Sequence, residues 1–108
     1  MAEAQESTEE EELTARLSCC VPFCRRTRHN REGFGEWICG DHWRLVPPLL
    51  RKRKAKMFRL YRRRYGDNSF WAYPGGSPNR LGAVKLDRLC DKVWKACKKA
   101  AIERAAGI

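Results

Sequence analysis

The spacing of apolar positions predicts a long helix over residues 47–66. Apolar and aromatic side chains recur there every three or four positions, which gathers them on one face of a helix. A proline pair opens the segment, where a missing backbone N–H costs little, and Gly66 is a natural stop. The predicted packing face consists of Leu50, Lys54, Met57, Phe58, Tyr61 and Tyr65.

The same periodicity predicts a second helix over residues 78–106. Ser77 is a suitable N-cap, Pro78 suits the first helical position, and Gly107 follows the end. The apolar stripe of this helix consists of Leu86, Leu89, Cys90, Val93, Cys97 and Ala101.

Two segments show no helical period. Residues 67–77 form a predicted loop that contains Phe70, Trp71 and Tyr73, and we expect these rings to pack onto the helix pair.

Residues 13–46 are dense in cysteine, glycine and aromatic residues. Gly33 and Gly35 predict a turn there, and the alternation at 36–38 predicts a short strand or hairpin just before Cys39.

The charge distribution separates a tail from the rest of the chain. Residues 1–12 hold six glutamates and no basic residue, a composition that predicts a disordered acidic tail. Residues 13–108 then carry 23 basic and seven acidic residues, a net charge of +16, against +10 for the whole chain. So large an excess in a predicted single domain indicates a polyanionic partner.

Two kinds of segment that would direct the protein elsewhere, a membrane span and a secretory leader, are not found in the sequence. The sequence has no apolar run long enough to cross a membrane and no secretory leader, so we expect a cytoplasmic protein. In a reducing compartment, six cysteines are better explained by metal binding and packing than by three disulfides.

Four residues have the spacing of a structural zinc site. Cys39 and His42 form one short-spaced pair, and two such pairs can supply a tetrahedron of sulfur and nitrogen ligands. The other pair ends at Cys24 and begins at Cys19 or Cys20, of which we prefer Cys19. We therefore predict one structural zinc ion, bound by Cys19, Cys24, Cys39 and His42.

Three further residues compete for ligand positions. His29 lies in an arginine-rich stretch, so we expect it to be exposed. Cys90 and Cys97 are seven positions apart on one face of the second helix, where buried thiols are ordinary core residues, so we expect both to pack in the core.

The cysteine segment resembles a known kind of zinc module. Cys19-x-Val21-x-x-Cys24, followed by Trp37-x-Cys39-x-x-His42, is similar to the zinc knuckle of treble-clef type in small phage and prophage proteins. Phe23 stands where such knuckles usually have glycine. The resemblance implies a treble-clef-like zinc fold in a nucleic-acid context and supplies no defined activity. For a chain of phage origin, we expect a phage or prophage regulator in the cytoplasm of the bacterial host.

Two basic clusters predict contacts with nucleic acid. Nine basic residues lie between positions 51 and 64, with no acidic residue between Asp41 and Asp67. Phosphates would neutralise this charge and release counterions, and we expect DNA rather than RNA as the partner. The predicted contact residues are Arg25, Arg26, Arg28 and Arg31 in the zinc module, with Arg51, Lys52, Arg53, Lys56, Arg59, Arg62, Arg63 and Arg64 in the helix.

Two other functions fit parts of the sequence. A phage-type protein that binds a host protein would use the same cations against an acidic surface. An HNH-like ββα-metal nuclease is suggested by Asp41-His42, but no histidine follows residue 42, and Cys90 and Cys97 are too widely spaced for a second knuckle. We therefore expect a binding protein and not an enzyme.

These patterns predict a mainly helical α+β fold, a zinc knuckle with a short β-hairpin followed by two long helices. Its predicted parts are the tail 1–12 and a single domain 13–108, which divides into the zinc-knuckle module 13–46, the basic helix 47–66, the aromatic loop 67–77 and the amphipathic helix 78–106.

Overall fold

A computed structural model describes residues 16–30 and 35–107 of the chain. The predicted acidic tail 1–12, the turn at Gly33 and the predicted contact residue Arg31 lie outside the described residues. The fold is mainly helical α+β, as predicted. The described residues form two compact units, one made of 16–45 with 101–107 and the other of 46–100.

The first unit begins with a small antiparallel hairpin. Strand β1 (Arg16–Ser18) pairs with β2 (Thr27–His29), with Leu17 opposite Arg28. The Arg16 guanidinium donates to the Thr27 hydroxyl from Nη2 at 2.8 Å and from Nε at 3.2 Å. This cross-strand contact favours the observed register over a shifted one.

The strand predicted just before Cys39 is wrong in its position. Residues 36–38 make only an isolated parallel bridge, between Trp37 and Cys19, and the Cys20 N–H donates to the Trp37 carbonyl at 2.8 Å. The physical reason is that the partner of β1 is β2 and not residues 36–38. Cys19 extends the pairing of β1 with β2, because its N–H donates to the Arg26 carbonyl at 3.0 Å. The alternation at 36–38 therefore reflects one buried side chain, Ile38, and not a strand of a hairpin.

A single helical turn, α1 (Gly40–Trp43), follows directly. Cys39 is its N-cap residue, with extended backbone, and its carbonyl accepts the Trp43 N–H at 2.8 Å. Because Cys39 and His42 are three positions apart on this turn, both side chains point to the same side.

In the second unit, helix α2 (Pro48–Tyr65) is one residue shorter at each end than the predicted range 47–66. Pro48 is at the first helical position, and Gly66 adopts φ 64° while its N–H donates to the Arg62 carbonyl at 2.8 Å. The predicted packing face is half-buried, except that Phe58 is 38% exposed.

Helix α3 (Pro78–Ala105) ends one residue earlier than predicted. Its start is capped by Ser77, whose hydroxyl oxygen accepts the Arg80 N–H at 3.2 Å. Leu89 is a correction to the predicted stripe, because it lies at the margin of the buried face and is 51% exposed. The buried residues of α3 are Ala83, Leu86, Cys90, Val93, Cys97 and Ala101.

Helices α2 and α3 run antiparallel within the second unit. Near the start of α2, the Cys97 thiol donates to the Leu50 carbonyl at 3.7 Å. One turn later, Lys54 Nζ lies 5.9 Å from the centre of the Trp94 ring. No helix in the described part of the chain is both long and apolar enough to cross a membrane.

The aromatic loop packs only in part. A 3₁₀ turn spans Phe70–Ala72, and the Tyr73 ring meets the Tyr65 ring edge-on at 5.8 Å between centroids. Trp71 differs from the prediction, because it is 71% exposed and stacks under the Arg80 guanidinium at 4.6 Å. A neighbouring cation holds this ring at the surface in place of a core contact.

Candidate metal centre

The structure brings together the four side chains that the spacing predicts. The three thiol sulfurs and a ring nitrogen of Cys19, Cys24, Cys39 and His42 all lie within 4.8 Å of one another. Among the six pairs of atoms, Cys24 Sγ to Cys39 Sγ is 3.9 Å, Cys19 Sγ to His42 Nδ1 is 3.6 Å, and Cys39 Sγ to His42 Nδ1 is 3.1 Å.

Two of these three separations fit a tetrahedral zinc ion as they stand. With Zn–S of about 2.3 Å and Zn–N of about 2.05 Å, a tetrahedron places sulfurs about 3.8 Å apart and sulfur about 3.6 Å from nitrogen. The Cys24–Cys39 and Cys19–His42 separations match these values. The Cys39–His42 separation is shorter than the tetrahedral value, so those two atoms would move apart around an ion.

Each ligand is positioned by a short local structure. Cys19 follows β1, and its sulfur accepts the backbone N–H of Cys39 at 3.3 Å. Cys24 ends a tight turn in which its N–H donates to the carbonyl of Val21 at 3.2 Å, and Val21 is buried. The turn before Cys24 and the helical turn after Cys39 therefore present the two ligand pairs to each other.

Phe23 adopts a backbone conformation that favours glycine. Its φ is 69°, in the left-handed region, and Phe23 is the only non-glycine residue with positive φ among the residues that the structure describes. The side chain is fully exposed, at 102%, so no packing offsets the strain of this conformation.

The environment differentiates the thiols. Burial opposes ionisation of Cys39, but a backbone hydrogen bond from His42 and contacts with Cys19 and Cys24 outweigh it and lower the Cys39 pKa below its ordinary value. At Cys24, a backbone hydrogen bond from Arg26 favours the thiolate, yet desolvation and the neighbouring thiols raise the pKa. Metal binding requires deprotonated sulfur, and the surroundings of Cys39 favour the thiolate whereas those of Cys24 oppose it.

An ion pair that the sequence pattern did not predict lies beside the cluster, between Arg26 and Asp41. Arg26 Nη2 lies 2.6 Å from a carboxylate oxygen of Asp41, which links the loop after Cys24 to α1. Arg44 Nη1 lies 4.0 Å from the other oxygen of Asp41. The signal in the sequence was an acidic residue between two predicted ligands, inside a module that is otherwise strongly basic.

The competing residues lie outside the cluster. The Cys20 thiol donates to the Trp37 carbonyl at 3.0 Å, and His29 is exposed on β2 opposite Arg16. Cys90 and Cys97 are buried on α3, and burial is the main cause that raises the pKa of both thiols. Both therefore behave as neutral core residues.

The predicted nucleic-acid contacts fall into distinct environments. In the zinc module, Arg25 is exposed, Arg26 is paired with Asp41, and Arg28 donates from Nε to the His29 carbonyl at 3.1 Å. On α2, Arg51 is half-buried and donates to the Val46 carbonyl at 3.0 Å. The seven exposed cations of α2, which we call the cationic face, are Lys52, Arg53, Lys56, Arg59, Arg62, Arg63 and Arg64.

Comparison of the chain with protein-family models, curated proteins and solved structures finds no match. The donor set of the cluster is nevertheless chemically specific. Thiolates and imidazole are ligands that zinc prefers, whereas Mg²⁺ and Ca²⁺ take oxygen ligands. Asp41, which lies between Cys39 and His42 in the sequence, is paired with Arg26.

Proposed function

We propose that this protein is a zinc-stabilised, basic DNA-binding protein. In this proposal Cys19, Cys24, Cys39 and His42 hold one structural zinc ion, and the cationic face of α2 contacts phosphates. The observation that carries the DNA-binding part is the seven exposed cations on one helix of 18 residues that has no acidic residue.

The donor set supports a structural role for the ion. Three sulfurs and one nitrogen complete the tetrahedral coordination of zinc, which leaves no position for a substrate or a reactive water. In a module with two strands of three residues each, such an ion would supply stability that the small core does not.

The arrangement of the cationic face supports phosphate contact. Lys52, Lys56, Arg59 and Arg63 follow one another at three- and four-residue spacing, so they form a line along the exposed side of α2. Like charges at this spacing repel one another and destabilise a free helix. Phosphates would remove the repulsion, and the released counterions would favour binding.

Helix dimensions favour duplex DNA over duplex RNA. An α-helix with its side chains is about 10–12 Å across, and the major groove of B-DNA is about 12 Å wide. The major groove of A-form RNA is too deep and narrow for this approach. The aromatic residues of the cationic helix are Phe58, Tyr61 and Tyr65, and all three lie on the side away from the line of cations. Tyr61 and Tyr65 are half-buried, and the Phe58 ring already has the Lys54 ammonium 4.5 Å from its centre, so base stacking is not expected from this helix.

A charge-matched pair of variants tests this proposal. Arg59→Gln with Arg63→Gln removes two charges from the cationic face, and Lys85→Gln with Arg88→Gln removes two exposed charges from α3. Binding of a labelled duplex is measured by fluorescence anisotropy across a salt series, with a zinc-loaded wild-type control. The α2 variant is expected to lower the slope of log affinity against log salt by about 1.8, at about 0.9 per phosphate contact.

The outcomes are distinct. A much smaller slope change in the α3 variant supports the cationic face as the interface. Equal losses in both variants would mean that net charge alone attracts DNA, and no binding of the wild type at low salt would overturn the proposed function. Tighter binding to duplex RNA would contradict the choice of DNA.

A further inference from the structure

A groove runs between α2 and α3 inside the second unit. Its volume is about 550 Å³, and Leu50 and Met57 of α2 form one wall. Val93 and Ala96 of α3 form the other wall, where Val93 is buried and Ala96 half-buried. The lining is completed by Leu89 and by four cations, Lys52, Arg53, Lys56 and Lys92.

The exposure of Leu89 shows that part of the apolar groove surface is left uncovered. Its side chain is 51% exposed although it points into the groove lining, whereas Leu86, one turn earlier, is 7% exposed. Binding of a partner that covers an apolar concavity with an exposed leucine is favourable, because it removes apolar surface from water.

The rim of the groove is positive on both sides. Lys52, Arg53 and Lys56 belong to α2, and Lys92 belongs to α3. All four are exposed, and no ion pair with them occurs within residues 16–30 and 35–107. The nearest acidic neighbour in sequence, Asp91, pairs with Lys95 at 2.9 Å. The rim is therefore complementary to carboxylates that flank an apolar ridge.

The shape and composition of the groove favour an amphipathic helix over nucleic acid or a membrane surface as its partner. Nucleic acid bases bind by stacking on aromatic rings, and the groove lining contains none. A membrane surface accepts a protruding apolar face, whereas this apolar surface is recessed between two helices. An amphipathic helix, by contrast, presents an apolar ridge that fits a groove between two helices, with polar side chains at its margins.

We propose that the groove between α2 and α3 binds an acidic amphipathic helix of a partner protein. Leucine-like side chains at i, i+3 or i+4, and i+7 of that helix contact Leu89 and the groove floor, and its flanking glutamates pair with Lys52, Lys56 and Lys92. Lys52, Arg53 and Lys56 belong both to the groove rim and to the cationic face. The proposal nevertheless does not rest on the proposed DNA function, because it is argued from the apolar floor of the groove and from Leu89, which are not part of the cationic face.

The test uses the full-length, zinc-loaded protein and three labelled peptides of about 18 residues. One peptide has an apolar helical stripe flanked by glutamates, one is its scrambled sequence, and one has lysines in place of the glutamates. Leu89→Ser removes the exposed apolar contact, and Leu81→Ser is its control, since Leu81 is a 60% exposed leucine of α3 outside the groove. Lys92→Glu tests the rim, with Lys85→Glu as its control.

The expected result is binding of the acidic amphipathic peptide alone. Leu89→Ser is expected to weaken it about tenfold, with a smaller loss for Lys92→Glu and no change for either control. Equal binding of the scrambled peptide, equal effects of the controls, or no binding would overturn the proposal.

Duplex DNA and vesicles of phosphatidylserine and phosphatidylcholine provide parallel readouts. Leu89→Ser is expected to leave duplex binding unchanged. A loss of duplex or vesicle binding in Leu89→Ser would assign the groove to nucleic acid or to membrane, and would overturn the peptide proposal. Failure of the wild type to bind DNA, with the peptide result intact, would overturn only the proposed function.

Discussion

Phe23 holds a left-handed backbone conformation, with φ 69°, immediately before the cluster residue Cys24. The turn that results lets the Cys24 N–H donate to the Val21 carbonyl and directs the Cys24 sulfur to within 3.9 Å of Cys39. A residue with a Cβ atom is disfavoured in this conformation, and the exposed ring of Phe23 makes no compensating contact in the core.

Phe23→Gly is therefore expected to stabilise the zinc module. Relief of the left-handed strain is worth about 1–2 kcal/mol, and the greater freedom of glycine in the unfolded chain subtracts about 0.5–1 kcal/mol. The net gain should be measurable as a higher midpoint of thermal unfolding in the zinc-loaded protein. Phe23→Ala is the control, because it removes the ring but keeps the strain, and should leave the midpoint nearly unchanged. A glycine variant no more stable than the alanine variant would contradict this account of the turn.

Gly82 of α3 lies against the hydroxyl of Tyr65. A Cβ atom at position 82 would overlap the Tyr65 hydroxyl oxygen but would lie 3.6 Å from the ring carbon that carries it, an ordinary contact. The Tyr65 ring is held by Tyr61 at 5.3 Å and by Tyr73 at 5.8 Å between centroids. Gly82→Ala, which in a helix would usually gain about 1 kcal/mol, is therefore expected to cost about 1–3 kcal/mol.

The Tyr65→Phe background separates the two effects. Without the hydroxyl, the new methyl group has room, so Gly82→Ala should become neutral or stabilising there. Chemical denaturation of the four proteins of this double-mutant cycle gives the coupling energy directly. The same cost in both backgrounds would show that the hydroxyl is not the obstacle.

The acidic segment is expected to weaken DNA binding through its charge alone. Deletion of residues 1–12 removes six glutamates and raises the formal net charge from +10 to +16. Affinity for a duplex at low salt should rise, and the difference should shrink as salt screens the charges. Replacing the six glutamates by glutamine is the length-matched control and should have the same effect. Unchanged affinity in both variants would contradict this prediction.

The long helices and the ligand cluster were predictable from sequence because strong local signals mark them. Pro48 marks the start of α2 and Gly66 its end, and Ser77 and Pro78 mark the start of α3. The cluster was predictable because Cys19 with Cys24 and Cys39 with His42 form two short-spaced ligand pairs. These signals act over a few residues, so a single sequence displays them.

A short β-hairpin was predicted, but the position of its strands was not, because that position and the other missed features depend on contacts between distant residues. The strands of the hairpin are three residues each, too short for an alternating pattern, and their pairing depends on contacts such as Arg16 with Thr27. The half-exposed position of Leu89 depends on how α2 and α3 pack, which the periodicity of α3 alone cannot specify. The left-handed backbone at Phe23 is imposed by the turn, against the preference of the residue itself.

The metal content of the purified full-length protein tests the central claim most directly. We expect one zinc ion per chain in the wild type and in Cys20→Ser, since Cys20 lies outside the cluster and serine can still donate to the Trp37 carbonyl. Cys39→Ser is expected to lose the ion and to unfold at a lower temperature. A wild-type protein that contains no zinc and still melts cooperatively, or a Cys39→Ser variant that retains full zinc content, would contradict the account.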